Sequence, residues 1–143
     1  MNHYYRNDDN LKSQKRVLDL YINDNKLSFV SDIGVFSNTQ IDYGSYTFLK
    51  TILKEESVDT LLDVGCGYGV LGITLKYLKH ANNVDMIDIN ERAVELTKLN
   101  IEKYKLEYQY NEEITRSFKM GYYEKATVNK DKLFSGINNN III

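Results

Sequence analysis

Two short runs of β-forming residues, 17–22 and 26–30, flank Asn23-Asp24-Asn25, a trio that tolerates left-handed backbone; together they predict a β-hairpin. Phe48, Leu49, Ile52 and Leu53 then recur at helical spacing and predict a helix over 46–55, with Ser45 at its N-cap. From Thr60 the apolar residues Leu61, Leu62, Val64 and the small thiol Cys66 flank one acid, Asp63, a buried strand that ends in Gly65, Gly67 and Gly69 at alternate positions. Leu71, Leu75 and Leu78 share one face of the next helix, and Lys76, Lys79 and His80 gather at its C-terminal end, where positive charge suits the dipole. Asn82-Asn83 reads as a turn and Val84, Met86, Ile87 and Ile89 as a second strand. Asn90 caps a helix over 91–102 whose inner face is Ala93, Leu96 and Leu99. Tyr104, Leu106, Tyr108 and Tyr110 alternate with polar residues, as on a half-exposed edge strand. A short helix opening at Asn111 and carrying Ile114 and Phe118 is interrupted at Gly121, and the remainder reads as irregular.

The chemistry concentrates at the glycines. A residue without Cβ lets the backbone take positive φ and lets a ligand approach the main chain, so the turn after Val64 reads as a cofactor floor. Residues 67–72 also spell G-x-G-x-x-G, the fingerprint that seats a pyrophosphate on a helix N-terminus, but taken alone that match is weak. Asp63 argues against phosphate: a carboxylate at the strand's end repels pyrophosphate and attracts an ammonium group, directly or through water. S-adenosylmethionine carries an ammonium and no phosphate.

The run D-V-G-C-G-Y-G-V-L-G from Asp63 to Gly72 resembles the first motif of class I S-adenosylmethionine-dependent methyltransferases. Residues 84–93, V-D-M-I-D-I-N-E-R-A, are similar to their second motif, whose acid accepts hydrogen bonds from both ribose hydroxyls; Asp88 takes that place, with Ile89 beside it. It lies about twenty residues beyond the glycine turn, the separation one βαβ unit needs to bring two strand ends together. Upstream, Gly34-Val35-Phe36-Ser37 followed by Asp42-Tyr43-Gly44-Ser45 resembles the leading segment of the methyltransferase small-domain family, several of whose members modify guanine amino groups of small-subunit ribosomal RNA. The resemblance covers roughly the first hundred residues. It implies a Rossmann-like α/β sheet of the class I type preceded by a hairpin, within one domain over 1–143. It also implies an S-adenosylmethionine site at Asp63, Gly65, Cys66, Gly67 and Asp88, with Gly44 and Ser45 near the methionine end and Ile89 as a neighbour. Ribosomal RNA is the implied partner. The chemistry implied is an in-line displacement in which a nucleic-acid amino nitrogen attacks the sulfonium methyl while the protein aligns the two reactants. For Ser45 the cap and the cofactor reading can hold together, because free N–H groups at a helix start also receive a carboxylate.

Composition adds limits. The 143 residues suit one domain, and a net charge of −2 gives no global attraction for nucleic acid or anionic membrane. Lys12, Lys15 and Arg16 form a small basic cluster that can touch RNA phosphate or simply be solvated. No apolar run approaches the roughly 20 residues of a membrane span and no signal-peptide pattern opens the chain, so the expectation is a cytoplasmic protein. With His3 and His80 the only histidines, no metal site is expected. Cys66, the one cysteine, is expected to pack under the turn rather than react.

One part of the family pattern is missing. The small-domain family carries an Asn-Pro-Pro-aromatic motif after its fourth strand to hold the attacking amino group, and this chain has no proline; Thr127-Val128-Asn129 is the nearest imitation. Catalytic residues are therefore unassigned. The roughly forty residues after the last predicted helix cannot supply the remaining four strands and their helices, so the fold reads as incomplete in its C-terminal half and the chain as a truncated or frame-disrupted member. The family places its fourth strand beside the first. Its loss leaves the apolar strand 60–64 as an exposed edge open to self-association or a partner chain. The closing Asn138-Asn139-Asn140-Ile141-Ile142-Ile143 suits a tail without selection for packing. Two alternatives stand beside a methyltransferase: a non-catalytic module that binds cofactor or a partner, and an NAD-binding oxidoreductase domain that explains only the glycines.

Overall fold

The computed structural model describes residues 12–34, 36, 39–106 and 140–143. The hairpin forms as expected: β1 (Lys15–Ile22) and β2 (Asn25–Asp32) pair antiparallel from Ile22↔Asn25 to Lys15↔Asp32. Asn23 and Asp24 hold the turn at φ of 46° and 62°, the left-handed pair that matches the twist of adjoining strands. Leu18, Leu20, Ile22, Leu27 and Phe29 form its buried face, while Val17 and Tyr21 look outward.

The first helix, α1 (Tyr43–Ile52), starts before the expected Tyr46, and its cap is Asp42 rather than Ser45. The Asp42 carboxylate accepts the Ser45 N–H at 2.9 Å from extended backbone, and an ionised cap also gains from the helix dipole. Beyond Ile52 the turn tightens to bonds from Lys54 N–H to Thr51 O and from Glu55 N–H to Ile52 O, which accounts for the helical pattern reaching Glu55.

Behind the hairpin lies a parallel sheet in the order β4-β3-β5, from β3 (Val58–Val64), β4 (Ala81–Ile87) and β5 (Asn140–Ile142), with α2 (Val70–Tyr77) crossing between β3 and β4 and α3 (Glu91–Lys103) following β4. The expected strand over 84–89 begins instead at Ala81 and ends at Ile87, so Asn82-Asn83 lies inside it. The turn is made earlier, by Lys79 at φ 60°. The Lys79 N–H bonds Lys76 O and the His80 N–H bonds Leu75 O, a Schellman stop built on lysine instead of glycine. The same device ends α3: Lys105 sits at φ 54°, its N–H on Glu102 O and the Leu106 N–H on Ile101 O. Tyr104 and Leu106 therefore belong to a helix stop and not to an edge strand. The expected Tyr108–Tyr110 continuation, the short helix after Asn111, Asn129 and His3 lie outside the described residues.

Two further corrections concern packing. The inner face of α3 is Ala93, Leu96, Thr97, Asn100 and Ile101, whereas Leu99 is 39% exposed. The closing residues are not an idle tail. Asn140, Ile141 and Ile142 pair with Thr60, Leu61 and Leu62 on the side of β3 opposite β4, and Ile143 continues the ladder through Leu62 O and Val64 N–H. The edge of β3 expected to be bare is covered by this chain's own β-branched residues. Among the described residues no helix is long and apolar enough to cross a membrane.

Because lysine pays a steric penalty in left-handed backbone that glycine does not, Lys79→Gly and Lys105→Gly are each expected to raise stability by about 1 kcal/mol. Urea unfolding with an unchanged slope and a higher midpoint checks this; a lower midpoint contradicts the assignment of these stops.

Candidate functional site

The site grows from the ends of β3 and β4, which pair to Val64↔Ile87 and stop at one level. There the Gly65 and Cys66 N–H groups both donate to Ile87 O, at 2.8 and 3.0 Å, so the chain after β3 folds across the end of β4. Gly65, Gly67 and Gly69 take φ of 75°, 61° and 94°. The glycines serve different ends. At Gly69 the left-handed backbone alone disfavours a side chain, and a Cβ would also stand 2.6 Å from Ile73 Cδ1; a Cβ on Gly65 would meet nothing within 4 Å, so there bare backbone faces open space.

That space is a cavity of about 220 Å³ lined by Leu18 of the hairpin, by Phe36, Gln40, Asp42 and Ser45, and by the glycine turn from Asp63 and Gly65 through Cys66, Gly67 and Tyr68 to the start of α2. It is smaller than the roughly 300–1,000 Å³ that engulfs a drug-sized ligand, so the enclosed part suits one end of a longer one. Five expected site residues, Ser45, Asp63, Gly65, Cys66 and Gly67, meet here; Gly44, Asp88 and Ile89 do not line it.

Asp63 is 2% exposed, and its Oδ2 accepts the Gly72 N–H at 3.1 Å. Burial pushes its carboxyl up to about 6, against the pull of that N–H. No cation among the described residues pairs with it. Near neutral pH it is thus a desolvated negative charge on the cavity wall without a positive partner from the described chain. Asp88 is fully buried and differently engaged. One oxygen accepts the Gly67 N–H and the other the Asn90 N–H, each at 2.8 Å, and Asn90 in turn caps α3 by accepting the Ala93 N–H. Burial raises the Asp88 pKa, with the N–H groups of Asn90, Gly67 and Ile89 opposing. This carboxylate ties the glycine turn to the start of α3.

Cys66 packs beneath the turn with Sγ 3.5 Å from Thr97 Oγ1; burial, followed by the charge of Asp63, pushes its thiol up to about 12, far from thiolate reactivity. Sequence reasoning missed Asp42, Gln40, Phe36 and Tyr68 as wall residues. Asp42 and Phe36 stood within quoted motifs, and Asp42 was recognisable as the stronger cap; Tyr68 had no signal beyond its place between glycines. Phe36 stacks edge-on to Tyr68 at 5.4 Å and lies against Gly67. Among the described residues no group of three or more His, Cys, Asp or Glu could hold a metal ion.

Comparison with known proteins places this geometry. The sequence model of the methyltransferase small domain matches residues 26–128. The uncharacterized protein YbxB of Bacillus subtilis strain 168 is 39% identical over 101 residues, covering 71% of this chain and 50% of YbxB. Ribosomal RNA small subunit methyltransferase C of Pseudomonas syringae pv. tomato is 37% identical over 99 residues, 69% of this chain and 30% of that protein. Among solved structures, the T. thermophilus 16S rRNA N2 methyltransferase RsmC, determined in complex with AdoMet and guanosine, superposes with a TM-score of 0.57 at 26% identity over 69% of this chain and 28% of that one. The chain thus spans half or less of the length of these relatives.

The raised Asp63 carboxyl has a definite pH signature. An acid bound more tightly to its proton when folded contributes fully below its unfolded value of 3.8 and loses that contribution as pH rises through about 6. Asp63→Asn, which keeps the Gly72 acceptor and removes the charge, is expected to be more stable than the parent above pH 7 by on the order of 3 kcal/mol, the gap closing towards pH 4. Thermal melts of both proteins across pH 4–8 test this; a gap independent of pH rules out an ionised buried Asp63.

Proposed function

This chain belongs to the methyltransferase small domain family, and from that premise we propose that it binds S-adenosylmethionine on the glycine turn and takes part in methyl transfer to an amino group of RNA, with guanine in ribosomal RNA, the acceptor named for RsmC, as the substrate. The observation that carries the reading is the buried Asp63 carboxylate, without a cation partner among the described residues, beside bare backbone at Gly65: a ligand with an ammonium group, and no phosphate, satisfies both.

In this reading Asp63 accepts the ammonium, Gly65, Cys66 and Gly67 form the floor, and Ser45 with Gly44 borders the methionine end. Asp88 and Ile89 belong to the nucleoside side. Asp88 is fully buried and already receives the N–H groups of Gly67, Asn90 and Ile89, so in this structure it serves that side by fixing the glycine turn against the start of α3 rather than as an open acceptor. When bound, the cofactor supplies a methyl group on a sulfonium, already a good leaving group. The residues of this chain then orient it, neutralise its ammonium and exclude water from the turn; no described side chain is assigned to the acceptor's proton.

A second reading, a cofactor-binding module without transfer activity of its own, is favoured by the absence of any proline and hence of the Asn-Pro-Pro-aromatic motif. An NAD-dependent reading is disfavoured by the charge of Asp63.

Titration calorimetry of the full chain with S-adenosylmethionine and S-adenosylhomocysteine, with NADH as control, decides among these. Gly65→Ala places its Cβ in open space, so the expected stability loss is only the roughly 1–2 kcal/mol of left-handed strain, whereas affinity is expected to fall at least tenfold. Binding of NADH as tight as of S-adenosylmethionine, or an unchanged affinity in Gly65→Ala, overturns the assignment. Cofactor binding without methyl incorporation into ribosomal RNA selects the second reading.

A further inference from the structure

The inner face of α3 carries a polar seam that the cofactor reading does not use. Thr97 Oγ1 donates to Gly67 O at 2.8 Å. Asn100, fully buried, donates from Nδ2 to Tyr68 O at 2.7 Å and to Val30 O at 3.0 Å, and accepts the Val30 N–H on Oδ1 at 2.7 Å. Tyr104 accepts the Ser28 N–H at 2.6 Å and donates to Ser28 O at 3.0 Å. The opposite orientation of the Asn100 amide would point its oxygen at two carbonyls, so the network fixes it.

The spacing explains the fit. A two-residue turn closed by Ile22↔Asn25 makes Ser28 and Val30 the positions whose N–H and C=O point away from β1. They recur about 6.6 Å apart along the strand, and residues four apart on a helix rise about 6.0 Å. Asn100 and Tyr104 therefore act as a substitute strand along the outer edge of β2. Asn100 alone also reaches the glycine turn. The cavity is lined both by a hairpin residue, Leu18, and by residues of that turn, Gly65, Gly67 and Tyr68; Asn100 is not among the lining residues and bonds to both elements.

We infer that Asn100 is the positioning residue that locks the hairpin and the glycine turn into one unit and so sets the width of the cavity. The link to ligand affinity rests on the cofactor site proposed above. Tyr104, which ties α3 to the hairpin but not to the turn, is the natural comparator, and Thr97, which ties α3 to the turn alone, is the second.

The test compares Asn100→Ser, Tyr104→Phe and Thr97→Val in the full chain by amide hydrogen exchange and by calorimetric titration with S-adenosylhomocysteine. Asn100→Ser is expected to speed exchange at least tenfold both at Val30 and at Gly67 and Gly69, and to weaken binding at least tenfold. Tyr104→Phe speeds exchange at Ser28 while leaving the glycine amides within threefold and the dissociation constant within twofold, and Thr97→Val leaves the hairpin amides unchanged. If Asn100→Ser shows no cooperative transition, Asn100→Asp, which keeps the acceptor for Val30 and loses both donors, carries the same comparison. Faster exchange confined to Val30, or a loss of affinity no larger than that of Tyr104→Phe, overturns the inference. A parent chain that binds no S-adenosylhomocysteine instead overturns the cofactor site, and the exchange comparison still decides the coupling.

Discussion

Two parallel strands that stop at one level leave their last backbone donors and acceptors to be satisfied by whatever follows, and that constraint shapes the whole site. Ile87 O, at the end of β4, receives the N–H groups of both Gly65 and Cys66, and the Asp88 carboxylate receives that of Gly67. The glycine turn is thus bonded to the strand beside it, and closed on itself by the Gly69 N–H on Cys66 O. Its left-handed backbone at Gly65 follows from that crossing, and so does the open space against it. A buried turn without these acceptors would carry orphaned donors, each costing about 1–3 kcal/mol.

The arrangement leaves one term unbalanced. Asp88 and Asp63 are both buried at strand ends, yet Asp88 is surrounded by three donors while Asp63 has one. The first is a structural tie whose charge is spread over backbone N–H groups. The second keeps a charge in a desolvated place, a cost of the kind found where a ligand supplies the missing partner. If Asp63 takes the ammonium as proposed, stability and binding pull in opposite directions there. That opposition separates the two carboxylates by role although the sequence offers them in similar settings.

Among the described residues the sheet around this site has three strands. β5 covers the flank of β3 opposite β4, the flank on which the family sets its fourth strand, with a three-residue ladder and the bonds of Ile143. So short a segment is able to do this because a parallel ladder asks only for extended backbone whose N–H and C=O groups face the neighbouring strand. On the other side of the molecule α3 takes the part that a neighbouring strand would have, holding the edge of β2 with an asparagine and a tyrosine. Edges are closed by different chemistry on the two sides, and both closures depend on residues distant in sequence.

What the sequence by itself determined is local. The Asn23-Asp24 turn, the glycines after Val64, the cap at Asn90 and the apolar face of the hairpin were legible because each is enforced within a few residues by steric or capping chemistry. The family motifs were legible for the same reason, as contiguous runs. Tertiary structure decided the rest. Lysine at Lys79 and Lys105 carries no stop signal, and only the packed helix ends push those residues left-handed. Leu99 fits the apolar pattern better than Asn100, but the open edge of β2 and the carbonyl of Tyr68 give a buried amide three partners that no helical pattern reveals. The closing isoleucines became a strand because the edge of β3 was there to receive them. Asp88 is engaged by the chain's own backbone because donors from three residues converge on it once β3 and β4 end side by side.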